Sequence, residues 1–351
     1  MPTFRAVVAR LLPWCCAGAA LAAPAAPTAE PYPWDKRPAS CFGPSRPDTK
    51  ACQPHDWPDY ETTLDRVRNL RNTGRYQLLE RALAELGASS DVFKEGHSKL
   101  DAVWWTLADF HLDKRFPAQV YEQRLAQWQA AVPGSPFARL AAVMIQRDAA
   151  LTGAASPLPS ERDRSQAALQ QAGKELLELP PDVRATAIWH LVAIDVVTEL
   201  DPPAGSLPTL LEAAMDRWPR ELAFYSRTLD QLHPDRGGNW AAVEKFIVEA
   251  TRRTSRTEGQ SFYTRLYLEL EDDLALGKTL SVWSNMDRGF QDWIARHPSL
   301  QLKNVYASHA CRARDRRAYV KAMESLKMDE IVPPFWVRGH GPEACARWAS
   351  R

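Results

Sequence analysis

The sequence predicts an all-α chain whose helices pack as antiparallel pairs stacked into an α-solenoid. Three observations predict it. From about Asp59 to Leu326, apolar residues recur at helical spacing in runs of ten to eighteen residues. The alternation of a half-buried strand is absent. The breaks between runs are two to eight residues long, so neighbouring helices must lie antiparallel.

The N-terminus comes first. Arg5 and Arg10 form a short basic region, and residues 11–22 are an apolar run ending in the A-x-A cleavage site Ala20-Leu21-Ala22. Residues 1–22 therefore read as a secretory signal peptide cleaved after Ala22, since a dozen apolar residues are too few to span a bilayer. Leu12-Pro13-Trp14, before Cys15 and Cys16, is bulky where a lipobox needs small residues. The expectation is an exported protein, periplasmic or secreted, with no transmembrane segment. Residues 23–58 are proline-rich and poor in aliphatics, an extended leader.

Cleavage leaves Cys41, Cys52, Cys311 and Cys345. An even number in an oxidising compartment favours disulfides, and four cysteines allow three pairings. Local pairing, Cys41 with Cys52 and Cys311 with Cys345, is the expectation, against free buried thiols. No pair has the C-x-x-C spacing of a zinc site.

The repeat region, 59–327, opens with Leu64, Val67 and Leu70 on one helical face. Asn72-Thr73-Gly74 breaks the chain, and Leu79, Ala82, Leu83 and Leu86 begin a new face. Further helices are expected over 99–112, 117–131, 136–152, 161–178, 182–199 and 207–217, then 221–232, 240–254, 261–276, 280–296, 300–312 and 316–327. Prolines after helices at 133, 180, 219 and 298 punctuate them. The tail, 328–351, is not helical until its end. A Cys311–Cys345 bridge would hold it over the last repeat as a cap, which the open apolar end of a solenoid needs.

Three helix starts look alike: 74-GRYQLLERAL-83, 114-KRFPAQVYEQRL-125 and 317-RAYVKAMESL-326. Each is a small or basic residue, an aromatic, then an amphipathic helix. That is how the second helix of a tetratricopeptide (TPR) repeat tends to begin. Residues 65–280 resemble a group of secreted bacterial TPR-like proteins of unknown function. The resemblance rests on Trp128…Pro133-x-Ser135, on the helix 181–199, and on Pro234-x-x-Gly237-Gly238-x-x-x-Ala242-x-x-x-Phe246. It implies a TPR-like right-handed α-solenoid and no chemistry. Where that family's loop often carries an aromatic before the glycines, this chain has Arg236, with Trp240 after them.

The same loop spells a second signature. His233-Pro234-Asp235 is the tripeptide of J-domain co-chaperones. The following helix should then be apolar three, six and seven residues after Phe246, where this chain has Glu249, Arg252 and Arg253. Burying three unpartnered charges would cost several kcal/mol. The preceding helix lacks the required basic character, and an exported protein meets no ATP-driven Hsp70. The tripeptide is therefore read as coincidence. Pro234 stops one helix, Gly237 and Gly238 supply positive φ, Asn239 caps the next, and His233 favours the helix dipole when protonated.

Other chemistry is sparse. The net charge of +1 gives no electrostatic reason to expect nucleic acid. The histidines at 55, 97, 111, 190, 233, 297, 309 and 340 include no i, i+3 or i, i+4 pair, so no helix-borne metal site is expected. His190, on an apolar helix near Asp195, reads as a satisfied core residue more than as a base. The acids of 269-ELEDDLAL-276 spread around a helix and read as a solvated face, or as an attraction for a basic partner. Trp104, Trp105 and Trp128 are candidates for lining a concave groove. Trp104 and Trp105 cannot both face one side of a helix, so one should be exposed.

The reading that follows is an exported helical-repeat protein that binds another protein or a peptide in the cell envelope, without catalytic residues, cofactor or metal. The rival is an α/α-scaffold enzyme acting on polysaccharide or peptidoglycan through a carboxylate pair and aromatic platforms. A deep acidic cleft lined by two or more carboxylates and tryptophans would favour the enzyme, and a shallow concave groove of mixed charge the binding module.

Overall fold

The structure is a computed structural model and describes residues 32–34, 57–112, 118–154, 158–200, 205–337 and 340–351. Among them the regular structure is helical. The sole β-feature among the described residues is an isolated bridge between Val92 and Ser98. No helix of the described residues is long and apolar enough to cross a membrane. Contacts divide the chain into two compact units, the second of which takes Val92–Ser98 and Ala214–Arg351.

The first unit begins with α1 (Tyr60–Asn72), where Asp59 Oδ1 accepts from the Thr62 N–H at 2.8 Å and satisfies an orphan donor of the first turn. Leu64, Val67 and Leu70 are buried, as their spacing requires, and so are Leu79, Ala82, Leu83 and Leu86 of α2 (Tyr76–Gly87). Then follow α3 (Lys99–Leu112), α4 (Ala118–Ala131), α5 (Pro136–Ala154), α6 (Pro159–Leu177), the single turn α7 (Pro181–Arg184) and α8 (Ala187–Glu199). Helices pack on their neighbours, α1 on α2 and α5 on α6, and on the next but one, α1 on α3, α3 on α5 and α6 on α8.

The expected helix 182–199 is interrupted. The Thr186 hydroxyl donates to Val183 O at 2.7 Å and accepts from the Trp189 N–H at 3.3 Å, so it closes α7 and caps α8. The Trp128…Ser135 pattern also has a physical cause. Trp128 is fully buried and its indole N–H donates to Glu80 Oε1 at 2.7 Å. The Ser135 hydroxyl donates to the same oxygen and accepts from the Ala138 N–H at 2.8 Å, which caps α5. Burial raises the Glu80 pKa, opposed by these two hydrogen bonds.

Most of the leader lies outside the described residues, Cys41 and Cys52 with it. Of its described residues, 32–34 and 57–58, Tyr32 and Trp57 are buried. Tyr32 stacks on Trp34 with centroids 5.1 Å apart, and carries the Arg81 guanidinium 4.3 Å above its ring.

The helix α9 (Ser206–Arg217) spans the division between the units. The second unit contains α10 (Leu222–Leu232), a 3₁₀ turn (Pro234–Arg236), α11 (Trp240–Glu258), α12 (Ser261–Leu268), α13 (Glu271–Ala275), α14 (Trp283–Arg296), α15 (Leu300–Arg312), α16 (Arg316–Glu324) and α17 (Pro342–Ala349). The expected helix 261–276 is two helices. Three acids, Glu271, Asp272 and Asp273, occupy the first turn of α13, where the helix dipole favours them. The expected helix 280–296 starts late, at Trp283. Glu249 and Arg252 of α11 are exposed and bind each other at 2.9 and 2.6 Å, as a solvated face does.

The His233 loop departs from expectation in two ways. His233 lies past the end of α10 with extended backbone. Its Nδ1 accepts from the Asp235 N–H at 3.2 Å while Nε2 lies 3.0 Å from Asp273 Oδ2, so the ring caps a turn and does not act on the dipole of α10. Gly237 has φ +87°, but Gly238 does not have positive φ. A Cβ there would sit 1.9 Å from Leu232 O, so close backbone approach requires this glycine. Asn239 caps α11, accepting from the Ala242 N–H at 2.9 Å.

Asn304 organises the tail. Its amide donates to Leu300 O and Glu330 O at 2.9 Å each, and its carbonyl accepts from the Val332 N–H at 2.9 Å and the Trp336 indole at 3.0 Å. Ser308 Oγ accepts from the Val337 N–H at 2.8 Å. Cys311 and Cys345 are placed as a disulfide, Cα atoms 5.7 Å apart, joining α15 to α17.

Two measurements check this packing. Gly238→Ala should destabilise the chain by about 2–3 kcal/mol in urea denaturation, the cost of overpacking against backbone. Non-reducing peptide mapping should recover Cys311 joined to Cys345. Changing both to Ser should remove about 3–4 kcal/mol, the loop-closure value for a separation of 34 residues.

Candidate functional site

The second unit concentrates buried polar chemistry in three segments. The first is the tight loop Val92–Ser98. The Phe93 N–H donates to His97 O and the Gly96 N–H to Phe93 O, both at 2.8 Å. Gly96 has φ +89°, and a Cβ on it would meet Trp293 Nε1 at 2.7 Å and His297 Cγ at 3.0 Å. Only glycine lets this loop lie against α14, which sets Glu95 and His97 beside Trp293. The Ser98 hydroxyl donates to Glu221 Oε2 at 2.5 Å, and both residues are buried.

Behind the loop stand the C-terminus of α11 and the helix α12. Arg265 of α12 is 5% exposed, and its Nη2 donates to Gly96 O at 3.1 Å. Its guanidinium lies 5.1 Å from the Phe262 ring and 5.3 Å from that of Trp293. Glu258, the last residue of α11, is 2% exposed and accepts from Arg220 Nε at 2.9 Å. Its other oxygen is 3.9 Å from both Arg265 Nη1 and His297 Nε2. Burial, then the Arg265 charge, pushes His97 down to about 4. Burial also lowers the His297 pKa, although Glu258 opposes it.

In front is a pocket of about 300 Å³. Glu95, His97, Glu271 and Trp293 line it together with Phe335 and Trp336 of the tail. Glu95 Oε2, an acceptor, and Trp293 Nε1, a donor, are buried without hydrogen-bond partners among the described residues. Leaving such atoms unsatisfied costs about 1–3 kcal/mol each, and both residues line this pocket. A second, more open pocket of about 610 Å³ shares Leu268 and Glu271 as walls. It holds the His233 loop, and its remaining lining is mainly acidic. Asp273 is held low there by His233 and Lys278.

The groove aromatics lie elsewhere, in the first unit. Trp105 is 39% exposed and meets Trp104 edge-on with centroids 4.9 Å apart, so one of the pair faces solvent. The Trp104 indole donates to Asp195 Oδ2 at 3.0 Å. Trp128 is core and presents no surface to a groove. His190 Nδ1 lies 2.9 Å from Thr186 O, so this buried histidine has a carbonyl partner. Of the loop residues, His233 and Asp235 line the acidic pocket. Pro234, Gly237, Gly238 and Asn239 shape the backbone that carries them.

Sequence reasoning missed Glu95, His97, Glu258, Arg265 and Trp293 as a group. Their spacing carries no signal, because they come from separate segments. The nearest signal was Gly96 beside His97 in 94-KEGHSK-99. Among the described residues, no three His, Cys, Asp or Glu side chains are placed to hold a metal ion. No family model matches the chain, and neither a curated protein nor a solved structure does.

The buried histidines generate a pH dependence. Burial holds His97 at about 4 and His309 of α15 at about 3, against 6.5 when unfolded. As pH falls below 6.5 the unfolded chain takes up protons that the folded chain refuses. This stability is therefore full above pH 6.5 and falls through pH 4. The slope is at most about 1.4 kcal/mol per pH unit for each histidine. Urea midpoints at pH 7, 6 and 5 should drop accordingly, and His97→Gln should flatten the trend.

Proposed function

We propose that this protein is an exported, TPR-like α-solenoid that binds a protein or peptide in the cell envelope. The observation that carries the reading is the open pocket of the second unit. Asp230, Asp235, Glu269, Glu271, Asp272 and Asp273 line it, with Arg236 as the opposing guanidinium. Such a surface attracts a basic stretch of a partner and raises its encounter rate. The packing of helices on near neighbours supports the repeat architecture, and the signal-peptide pattern of residues 1–22 supports export. The Cys311–Cys345 pair suits an oxidising compartment.

Co-purification of the tagged protein from its native envelope should recover a partner with a basic segment. Raising salt from about 50 to 200 mM should weaken that complex severalfold, because exposed charges are screened. Joint Asp235→Asn and Asp272→Asn substitution should do the same at constant salt. Indifference to both treatments would remove the acidic pocket from the interface.

One observation favours the enzyme. Glu95 and Glu271 share a single pocket with Trp293 and Trp336, two carboxylates beside aromatic platforms. On that reading the protein releases reducing ends from peptidoglycan or polysaccharide, and Glu95→Gln or Glu271→Gln abolishes the release. No release by the unaltered protein sinks it.

A further inference from the structure

We propose that the aromatic-walled pocket is an anchor for one basic residue of a peptide, a lysine or arginine. The proposal rests on the peptide-binding reading above and names the chemistry its site takes.

Three observations converge. The first is a mismatched pair of buried atoms on two of the lining residues. Glu95 Oε2 needs a donor and Trp293 Nε1 needs an acceptor, and both are already shielded from water. A basic residue within a peptide supplies both at once, with its ammonium or guanidinium N–H for the carboxylate and a main-chain carbonyl for the indole. A simple amine supplies only the first, and a neutral residue only the second.

The second observation is charge. Glu95 and Glu271 line the pocket, while its histidine, His97, is neutral across the physiological range. The nearest buried cation, Arg265, is occupied behind the wall by Gly96 O and faces Glu258. Arg312 lies within electrostatic reach of Glu271 but outside the lining, which leaves Glu95 as the primary anion. The third observation is shape. About 300 Å³, bounded by Trp293, Phe335 and Trp336, suits a long apolar stem carrying a terminal charge, and aromatic faces attract that charge. The shared walls Leu268 and Glu271 then continue into the acidic opening, where flanking basic residues would lie.

The test uses the full exported chain with its disulfide intact. Three probes are titrated: N-acetyl-lysine amide, its uncharged near-isostere N-acetyl-norleucine amide, and n-butylamine. The ¹⁵N–¹H signal of the Trp293 indole, assigned through Trp293→Phe, is the readout. The lysine amide should bind about tenfold more tightly than either other probe, as a charge-assisted hydrogen bond demands, and should move the Trp293 signal. Glu95→Gln should bring lysine and norleucine amides to within about twofold of each other. Equal binding of the two amides by the unaltered protein, a comparison needing no variant, overturns the anchor. So does an unmoved Trp293 indole. If the envelope partner still binds salt-dependently while the probes show no preference, the anchor fails and the binding-module reading stands. If the lysine amide is selected but no peptide or protein partner is retained, the module reading fails and the pocket's chemistry stands.

Discussion

A guanidinium with almost no access to water holds the second unit together. Removing an arginine from water costs several kcal/mol, so its surroundings must compensate. Arg265 finds a carbonyl at Gly96, a carboxylate at Glu258 and two aromatic faces at Phe262 and Trp293. Each partner constrains a different segment. Gly96 ties down a loop distant in sequence, Glu258 ends α11, and Trp293 belongs to α14. Burial, helped by the same charge, keeps His97 neutral. A residue that would cost stability alone becomes the point at which three segments agree on one arrangement.

That arrangement leaves the pocket wall incomplete. Glu95 and Trp293 line the pocket, and each retains a buried polar atom without a partner among the described residues. Two other polar side chains are well partnered. Glu80 takes two donors, and Asn304 makes four hydrogen bonds. Asn304 serves the fold, and by holding the Trp336 indole it helps to position another residue that lines the pocket. The Cys311–Cys345 link fastens the tail's far end.

The tripeptide His233-Pro234-Asp235 shows how local grammar and tertiary position differ. Locally it stops a helix and starts a turn, and Gly238 lets the backbone pass Leu232. Its neighbours on α11, Glu249 and Arg252, pair in solvent instead of packing as a co-chaperone's third helix would. Tertiary structure adds one thing the letters do not contain. Asp273, forty residues on, meets His233 and places the loop at an acidic opening.

The sequence by itself determined the helical class, most helix boundaries and the caps at Asn239 and Gly237, because apolar periodicity and capping are properties of a few adjacent residues. It also singled out Cys311 and Cys345, the pair that the structure places at bonding distance. It misjudged Trp128, because an indole reads the same whether its N–H meets Glu80 or a ligand. It ran two helices through the breaks at Thr186 and Glu269–Leu270, where side-chain capping and helix-dipole preferences outweigh continuous periodicity. Glu95, His97, Glu258, Arg265 and Trp293 could be found only in the folded chain. Their partners lie far apart in sequence, and their chemistry comes from burial, which no short stretch of sequence encodes.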